Sequence, residues 1–256
     1  MPVRHSAKGL FAALAGLSCL TAAGCAAGQA AVHDRTGSQG PSGTHGSSAA
    51  HGSAGTAGGT PATASTVIPA QLGDTWVYAF DSSVLGKGTE TSRISAVTPA
   101  AGGQRATMAS SLSLAGSKAP FKFSSVFTAD ADGSVTFGST SFMGSKLASA
   151  NVNWPSPAAL TPGRPHTSTV TGNFLGFRTT ERVTITNLGP ASVTVPAGTY
   201  QAVLLEQTVT EGAGNRDVIK SWVVNGIGQV KTDTTVIVKG QRSVSSAEVL
   251  TSFTKG

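Results

Sequence analysis

From Val230 to Lys239 the side chains alternate in kind, with Val230, Thr232, Thr234, Val236 and Val238 on one face and Lys231, Asp233, Thr235, Ile237 and Lys239 on the other. Successive Cβ atoms of an extended strand point to opposite sides of the pleat, so this repeat of two is a strand with one dry and one mostly wet face. The pattern recurs along the chain. Thr75–Asp81, Thr91–Val97, Arg105–Leu114, Phe121–Thr128, Ser134–Phe137 and Thr167–Phe174 read as strands. So do Thr179–Asn187, Ser192–Val195, Thr199–Thr210, Val218–Val224, Gln229–Val238 and Glu248–Phe253. No stretch carries a sustained helical stripe; the best helical segment, Ser156–Leu160, is short and crowded by Pro155, Pro157 and Pro162. Strands in series without intervening helices predict an all-β fold over residues 67–256. The expected form is an antiparallel curved sheet, an open half-barrel or a sandwich, with at most one or two short helices.

Turn chemistry points the same way. Asp130-Ala131-Asp132-Gly133 separates two strand runs, and Asp-Gly supplies the positive φ that a tight hairpin needs. Pro196-Ala197-Gly198 and Asn225-Gly226 do the same for two later pairs of runs.

The first 66 residues are of another kind. Arg4, His5 and Lys8 precede an apolar run of 11 residues, Leu10–Leu20. A membrane-spanning helix needs about 20 apolar residues, so this run is a signal segment and not a span. Ala22-Ala23-Gly24-Cys25 resembles the lipobox of bacterial lipoproteins, with the departure that a larger aliphatic residue is more usual where Ala22 stands. That resemblance implies a signal peptide over residues 1–24 and lipidation of Cys25, which anchors the chain at the extracytoplasmic face of the membrane. An ordinary secretory signal cleaved near Ala30 is the alternative. Cys19 and Cys25 are the only cysteines, so the domain after residue 66 can form neither a disulfide nor a thiolate metal site.

Of the 41 residues from 26 to 66, 33 are Ala, Gly, Ser, Thr or Pro. Such a composition buries too little apolar surface to offset its ordering entropy, and it reads as a disordered tether with an r.m.s. span of roughly 35 Å. Together with Cys25 it forms the segment 25–66.

Charge narrows the partners. Only 12% of residues are charged, and the net charge is +6, or +4 without Arg4 and Lys8. The basic residues are scattered singly with no aromatic interleaving, which argues against nucleic acid. Weak attraction to anionic wall polymers or lipid head groups is what remains.

Most catalytic constellations lack parts. His33, His45 and His51 lie in the tether at spacings that favour no metal. Asp130-x-Asp132-Gly133 has a faint likeness to a calcium loop, but no acidic residue follows until Glu181, and a hairpin turn accounts for it. His166 is the single histidine of the domain, with no Gly-x-Ser-x-Gly elbow to serve. Eleven acidic residues are spread over the domain, and none, including Glu181, Glu206 and Glu211, announces a glycosidase-type pair. Solvent-facing strand positions are the expected place for them. The chain reads as no enzyme, with no cofactor and no metal.

The phenylalanines carry more. Phe121, Phe123 and Phe127 share one strand face, and Phe137, Phe142, Phe174 and Phe177 follow. They are either ordinary core or the lining of an apolar hollow suited to a greasy ligand. The ligand-binding candidates are Phe121, Phe123, Phe127, Phe137, Phe174 and Trp222.

Three short patches carry a family resemblance. Gly73-Asp74-Thr75-Trp76-Val77-Tyr78 is similar to the "GxxWxY" opening of many uncharacterised exported bacterial β domains. Val195-Pro196-Ala197-Gly198-Thr199-Tyr200 matches their "VPAGT[FY]" hairpin, and Gly226-Ile227-Gly228-Gln229-Val230-Lys231, after Trp222, their "G[VI]GxVK" hairpin. Such domains resemble lipoprotein carriers whose long sheet curls into a half-barrel around an apolar hollow. With the lipobox, the whole looks like a lipoprotein of high-GC Gram-positive bacteria. The resemblance implies binding or carriage of an apolar or amphipathic envelope ligand. A structural or protein-interaction module, meeting an envelope protein or wall polymer, is the alternative, and a hydrolase using His166 or paired carboxylates is a second.

Overall fold

The structure, a computed structural model, describes Ile68 and residues 70–174, 177–211, 215–238 and 241–256. The expected signal peptide, Cys25 and the tether lie outside these residues. Twelve strands follow one another: β1 Thr75–Ser82, β2 Gly86–Ala100, β3 Gly103–Leu114, β4 Phe121–Asp130, β5 Val135–Phe142 and β6 Ser145–Trp154. After a single 3-10 turn, Pro157–Ala159, come β7 Pro165–Phe174, β8 Phe177–Val195, β9 Gly198–Glu211, β10 Asn215–Val224, β11 Gly228–Val238 and β12 Gln241–Thr254. The domain is all-β and antiparallel, as its alternation predicts.

Each strand pairs with its neighbours in sequence, and β1 pairs with β12, so the sheet curls beyond a half-barrel into a ring. The seam is at β6 and β7, joined among the described residues by two pairs, Ala148↔Phe174 and Ser149↔Asn173. Closure takes up the strand edges that an open sheet would expose. Bulges help to bend the strands, among them those at Val77/Tyr78, Asn187/Gly189 and Trp222/Val223.

One face of each strand is buried. On β1 these are Trp76, Tyr78, Phe80 and Ser82, and on β11 Val230, Thr232, Thr234 and Val236. The interior has two ends, which we call lower and upper. The lower end carries Ile68 and the β4–β5, β8–β9 and β10–β11 turns; the upper carries the β1–β2, β3–β4 and β5–β6 turns. Most of the apolar core lies low, where Phe127, Phe137, Trp154, Leu160, Ile185 and Leu205 pack with Trp76 and Leu250. Phe127 and Phe137 meet at 5.6 Å between ring centroids.

The three patches of the family resemblance meet at this lower end. Trp76 Nε1 donates to the Ile227 carbonyl at 2.6 Å, and Tyr78 Oη to the Gln229 carbonyl at 2.9 Å. The Ala197 amide, at the tip of the β8–β9 hairpin, donates to the Leu250 carbonyl at 3.1 Å. Asn187, buried beside the β8 bulge, donates to the carbonyls of Pro157 and Leu160 at 3.3 and 3.1 Å, which fixes the 3-10 turn against the core. These bonds satisfy polar groups while the aromatic bodies fill space. These contacts close the lower end except for a small recess beside Ile68 and Gln229.

Candidate functional site

Above the lower core the inward positions change character. Glu90 and Ser92 of β2, Ser110 of β3, Ser125 of β4, Gln207 of β9, Ser221 of β10, Thr232 and Thr234 of β11 and Glu248 of β12 are all buried. They form a polar belt. Above it, Phe80, Leu112 and Phe123 make a second apolar cluster, with Phe121, Phe142, Leu85 and Leu114 half-buried against them. The Phe123 and Phe142 rings lie 5.1 Å apart, and Phe121 and Phe142 6.1 Å.

The belt is built around two carboxyls. Glu90 pairs in register with Tyr78, and Glu248 with Phe80 on one side and Thr232 on the other. Both are 1% exposed, and their side chains hydrogen-bond to each other. Burial, then the Glu90 charge, then that bond hold the Glu248 carboxyl well above the usual carboxylate range. Two buried like charges in contact are costly, which favours the protonated form of Glu248. Tyr78 is pushed up by burial first and by the charges of Glu248 and Glu90 after it.

Partners are uneven around the belt. Ser92 Oγ donates to Glu90 Oε1 at 3.0 Å and lies 2.7 Å from Ser110 Oγ. Gln229 Nε2 donates to Ser221 Oγ at 3.2 Å. Three groups on the β9–β12 wall have no partner in the protein: Gln207 Nε2, Thr234 Oγ1 and Glu248 Oε1. Gln207 and Thr234 both face Ile219 across β10, and Thr234 lies one diagonal step from Glu248. An unpaired buried polar atom costs about 1–3 kcal/mol, so three on the inward face of one four-strand stretch, β9 to β12, are an unusual feature of an interior.

A small recess, with room for about one water molecule and partly open to solvent, reaches from Ile68 and Gln229 past Trp76, Tyr78 and Met108 to Ser92. It touches the belt from below.

The candidate residues taken from sequence divide. Phe121 and Phe123 join the upper cluster, whereas Phe127 and Phe137 belong to the lower core. Trp222 is on the outer face of β10, opposite in direction to buried Ser221 and Val223, with Lys231 Nζ 4.5 Å from its ring centroid. Phe174 ends β7 with its side chain outside the described part, and Cys25 also lies outside it. His166 stands exposed on β7 opposite Ile185. The expectation that the acids face solvent is corrected for Asp74, Glu90 and Glu248: Asp74 is buried just before β1, accepting from the Gln71 and Gly256 amides, and the two glutamates occupy inward register positions beside other buried residues. Asp132 follows the turn reading: its Oδ1 accepts from the Ser134 amide at 2.8 Å and hydroxyl at 2.7 Å, and those bonds lower its pKa. Gly133 there has φ +85°.

No family model matches the chain, and no curated protein matches it. Solved structures do. A candidate lipoprotein from Parabacteroides distasonis is similar over 74% of this chain and 99% of its own, at 14% identity and a TM-score of 0.50. A candidate exported protein with a YmcC-like fold from Bacteroides fragilis matches over 75% of this chain and 100% of its own, again at 14% identity and TM-score 0.50. The fold of the barrel is one that those two proteins share.

Proposed function

We propose that the protein is an extracytoplasmic lipoprotein, anchored through Cys25, whose barrel binds or carries an apolar or amphipathic ligand of the cell envelope. Support for the location comes from the lipobox-like Ala22-Ala23-Gly24-Cys25 and from structural neighbours described as lipoprotein or exported protein. The observation that carries the binding reading is the change of interior along the barrel axis. The lower half is packed with side chains, while the upper half sets half-buried Phe121 and Phe142 above a polar belt. A protein that needed only stability would gain more from continuing the apolar core.

On this reading the chain is a binder and not an enzyme, and the carboxyls argue for that. Glycosidase pairs stand about 5–9.5 Å apart around a reachable bond. Glu90 and Glu248 instead hydrogen-bond directly to each other, too close to flank a scissile bond. The envelope-interaction alternative has its own observation in the β6–β7 seam, which two register pairs join among the described residues and which is the place where an added strand would compete.

Native mass spectrometry of the chain from residue 26 onward, purified from a bacterial host and followed by organic extraction, tests the reading. An extracted lipid of discrete mass is the expected result. A bare protein mass that persists after incubation with envelope lipids would move the assignment to the interaction module. Cys25→Ala should release the full-length protein from membranes, and retention there would overturn the anchor.

A further inference from the structure

The upper half of the barrel carries information about the head group of such a ligand, an inference that rests on the binding reading above. Glu248 Oε1 accepts, or donates where it carries the carboxyl proton, Gln207 Nε2 is a donor and Thr234 Oγ1 either, and all three are without a partner in the protein. The residues are 1%, 2% and 3% exposed. Phe80, the buried ring of the upper cluster, sits directly across from Glu248 in the β1–β12 register. The polar triplet and the aromatic cluster are therefore adjacent parts of one wall. Buried Ile219 and Val236 stand beside the triplet and belong to neither apolar cluster.

Charge decides among head groups. Among the residues whose burial is described no Lys or Arg is buried; of the buried carboxyls Asp74 lies at the lower end, and Glu90 and Glu248 lie in the belt. An anionic head would meet those carboxyls without a countercharge. A cationic head could meet Glu248 and Thr234 but would face the N–H of Gln207 with like polarity. A hydroxyl donates and accepts at once, so neighbouring hydroxyls offer both polarities to a mixed triplet.

We propose that Glu248, Thr234 and Gln207 form a head-group site for a neutral amphiphile bearing neighbouring hydroxyls, whose apolar chain lies against Phe80, Phe123 and Phe142. Glycerol-headed and sugar-headed lipids share this chemistry.

Calorimetric titration of residues 26–256, which contain every core residue described above, tests it with probes of one chain length. Monolauroylglycerol, a lauroyl sugar ester, laurate and dodecylammonium are compared, with free glycerol as the chainless control. A hydroxylated probe should bind about tenfold tighter than laurate and dodecylammonium, the value of one to two well-made hydrogen bonds. Whichever of glycerol or sugar ester binds better names the source. Thr234→Val and Gln207→Leu should each weaken the hydroxylated probe several-fold and leave laurate unchanged. Equal binding of all chained probes, or tighter binding of laurate or dodecylammonium, would overturn the head-group site while the apolar reading stands. No binding by any chained probe would remove both. Because the comparison on the unaltered protein needs no variant, a misfolded substitution does not blunt it.

Discussion

Adjacent stretches of the same two strands build opposite interiors. On β4 and β5 the lower inward pair is Phe127 and Phe137, in register and in ring contact, while the next inward pair up is Ser125 and Thr140, 3.3 Å apart between hydroxyl oxygens. The backbone scarcely distinguishes them: both pairs sit in one antiparallel ladder with one face inward. What differs is the side chain at each inward position. Below, rings and branched carbons fill the barrel. Above, hydroxyls, an amide and two carboxyls line it. Strand geometry thus sets which side chains face the interior, but not whether that interior is a core or a site.

The largest expected effect tests the lower half as core. Phe127→Ala removes a ring that is 1% exposed and packed on Phe137, and should cost about 3–5 kcal/mol in denaturant unfolding. Ligand binding by whatever fraction remains folded should be unchanged. If binding goes while stability stays, the ligand sits low and the division of the interior is wrong.

The belt gives the next effect, and it shows in pH. Glu248 has a folded pKa raised above its usual 4.5, so the native state binds its proton more tightly than the unfolded chain does. Its stabilising contribution is complete below pH 4.5 and is lost as pH rises through the raised folded value. Asp132 runs the other way: its pKa is lowered from 3.8 by the Ser134 hydroxyl and amide, so its contribution is present above 3.8 and fades as pH falls through the folded value. Melting temperatures across pH should fall on the alkaline side in the native sequence and fall much less in Glu248→Gln. An unchanged alkaline slope in that variant would mean the carboxyl pair is not buried as described. Asp132→Asn should alter only the acid side, and weakly, since that turn is exposed.

These two carboxyls also show where sequence reading stops. The antiparallel all-β class followed from alternation and three turns, and Gly133, Gly198 and Gly226 take positive φ where the turns require it. The strand list was less complete. Ser145–Trp154, the whole of β6, is Ser-, Ala- and Asn-rich, so its period of two has no hydrophobic contrast to reveal it. Thr179–Asn187 and Ser192–Val195 read as two strands, but they are one, β8, continued through a bulge in which Asn187 Oδ1 accepts from the Gly189 amide at 2.8 Å. Glu90 lies four residues before Ile94 on one face of β2, and Glu248 two before Leu250. Parity with a buried aliphatic neighbour was the signal available for both. A polar residue at an inward position is ordinarily discounted, however, and pairing of β2, β1 and β12 across the full chain length is not visible in any local window. Seven of the ten phenylalanines looked like one set for the same reason, although register divides them between floor and rim.

A smaller effect tests the closure of the lower end. Gly226 turns β10 into β11 at φ +75° with nothing near its Cα to obstruct a methyl group. Gly226→Ala should therefore cost about 1 kcal/mol from backbone conformation alone. That hairpin positions the Ile227 and Gln229 carbonyls that receive Trp76 and Tyr78. A much larger loss in thermal melts would show that the hairpin also sets the register of the floor.

The smallest effect sharpens the comparison from outside the barrel. By sequence Trp222 belongs with the phenylalanines, but its ring lies on the outer face with Lys231 Nζ 4.5 Å from its centroid. A partly exposed cation over an indole contributes about 0.5–1 kcal/mol. Lys231→Ala should cost roughly that much in chemical unfolding, or less, because Lys231 also forms a 3.0 Å ion pair with Asp233 that leaves with it. Amphiphile affinity should not move in Lys231→Ala, nor in Trp222→Leu, since both residues sit at outward strand positions, away from the belt. Trp222 is also the control that separates the two halves from the outer wall. A loss of affinity in Trp222→Leu with an unchanged melting temperature would place the ligand on the barrel's exterior, and the contrast between packed floor and polar belt would then describe folding and not binding.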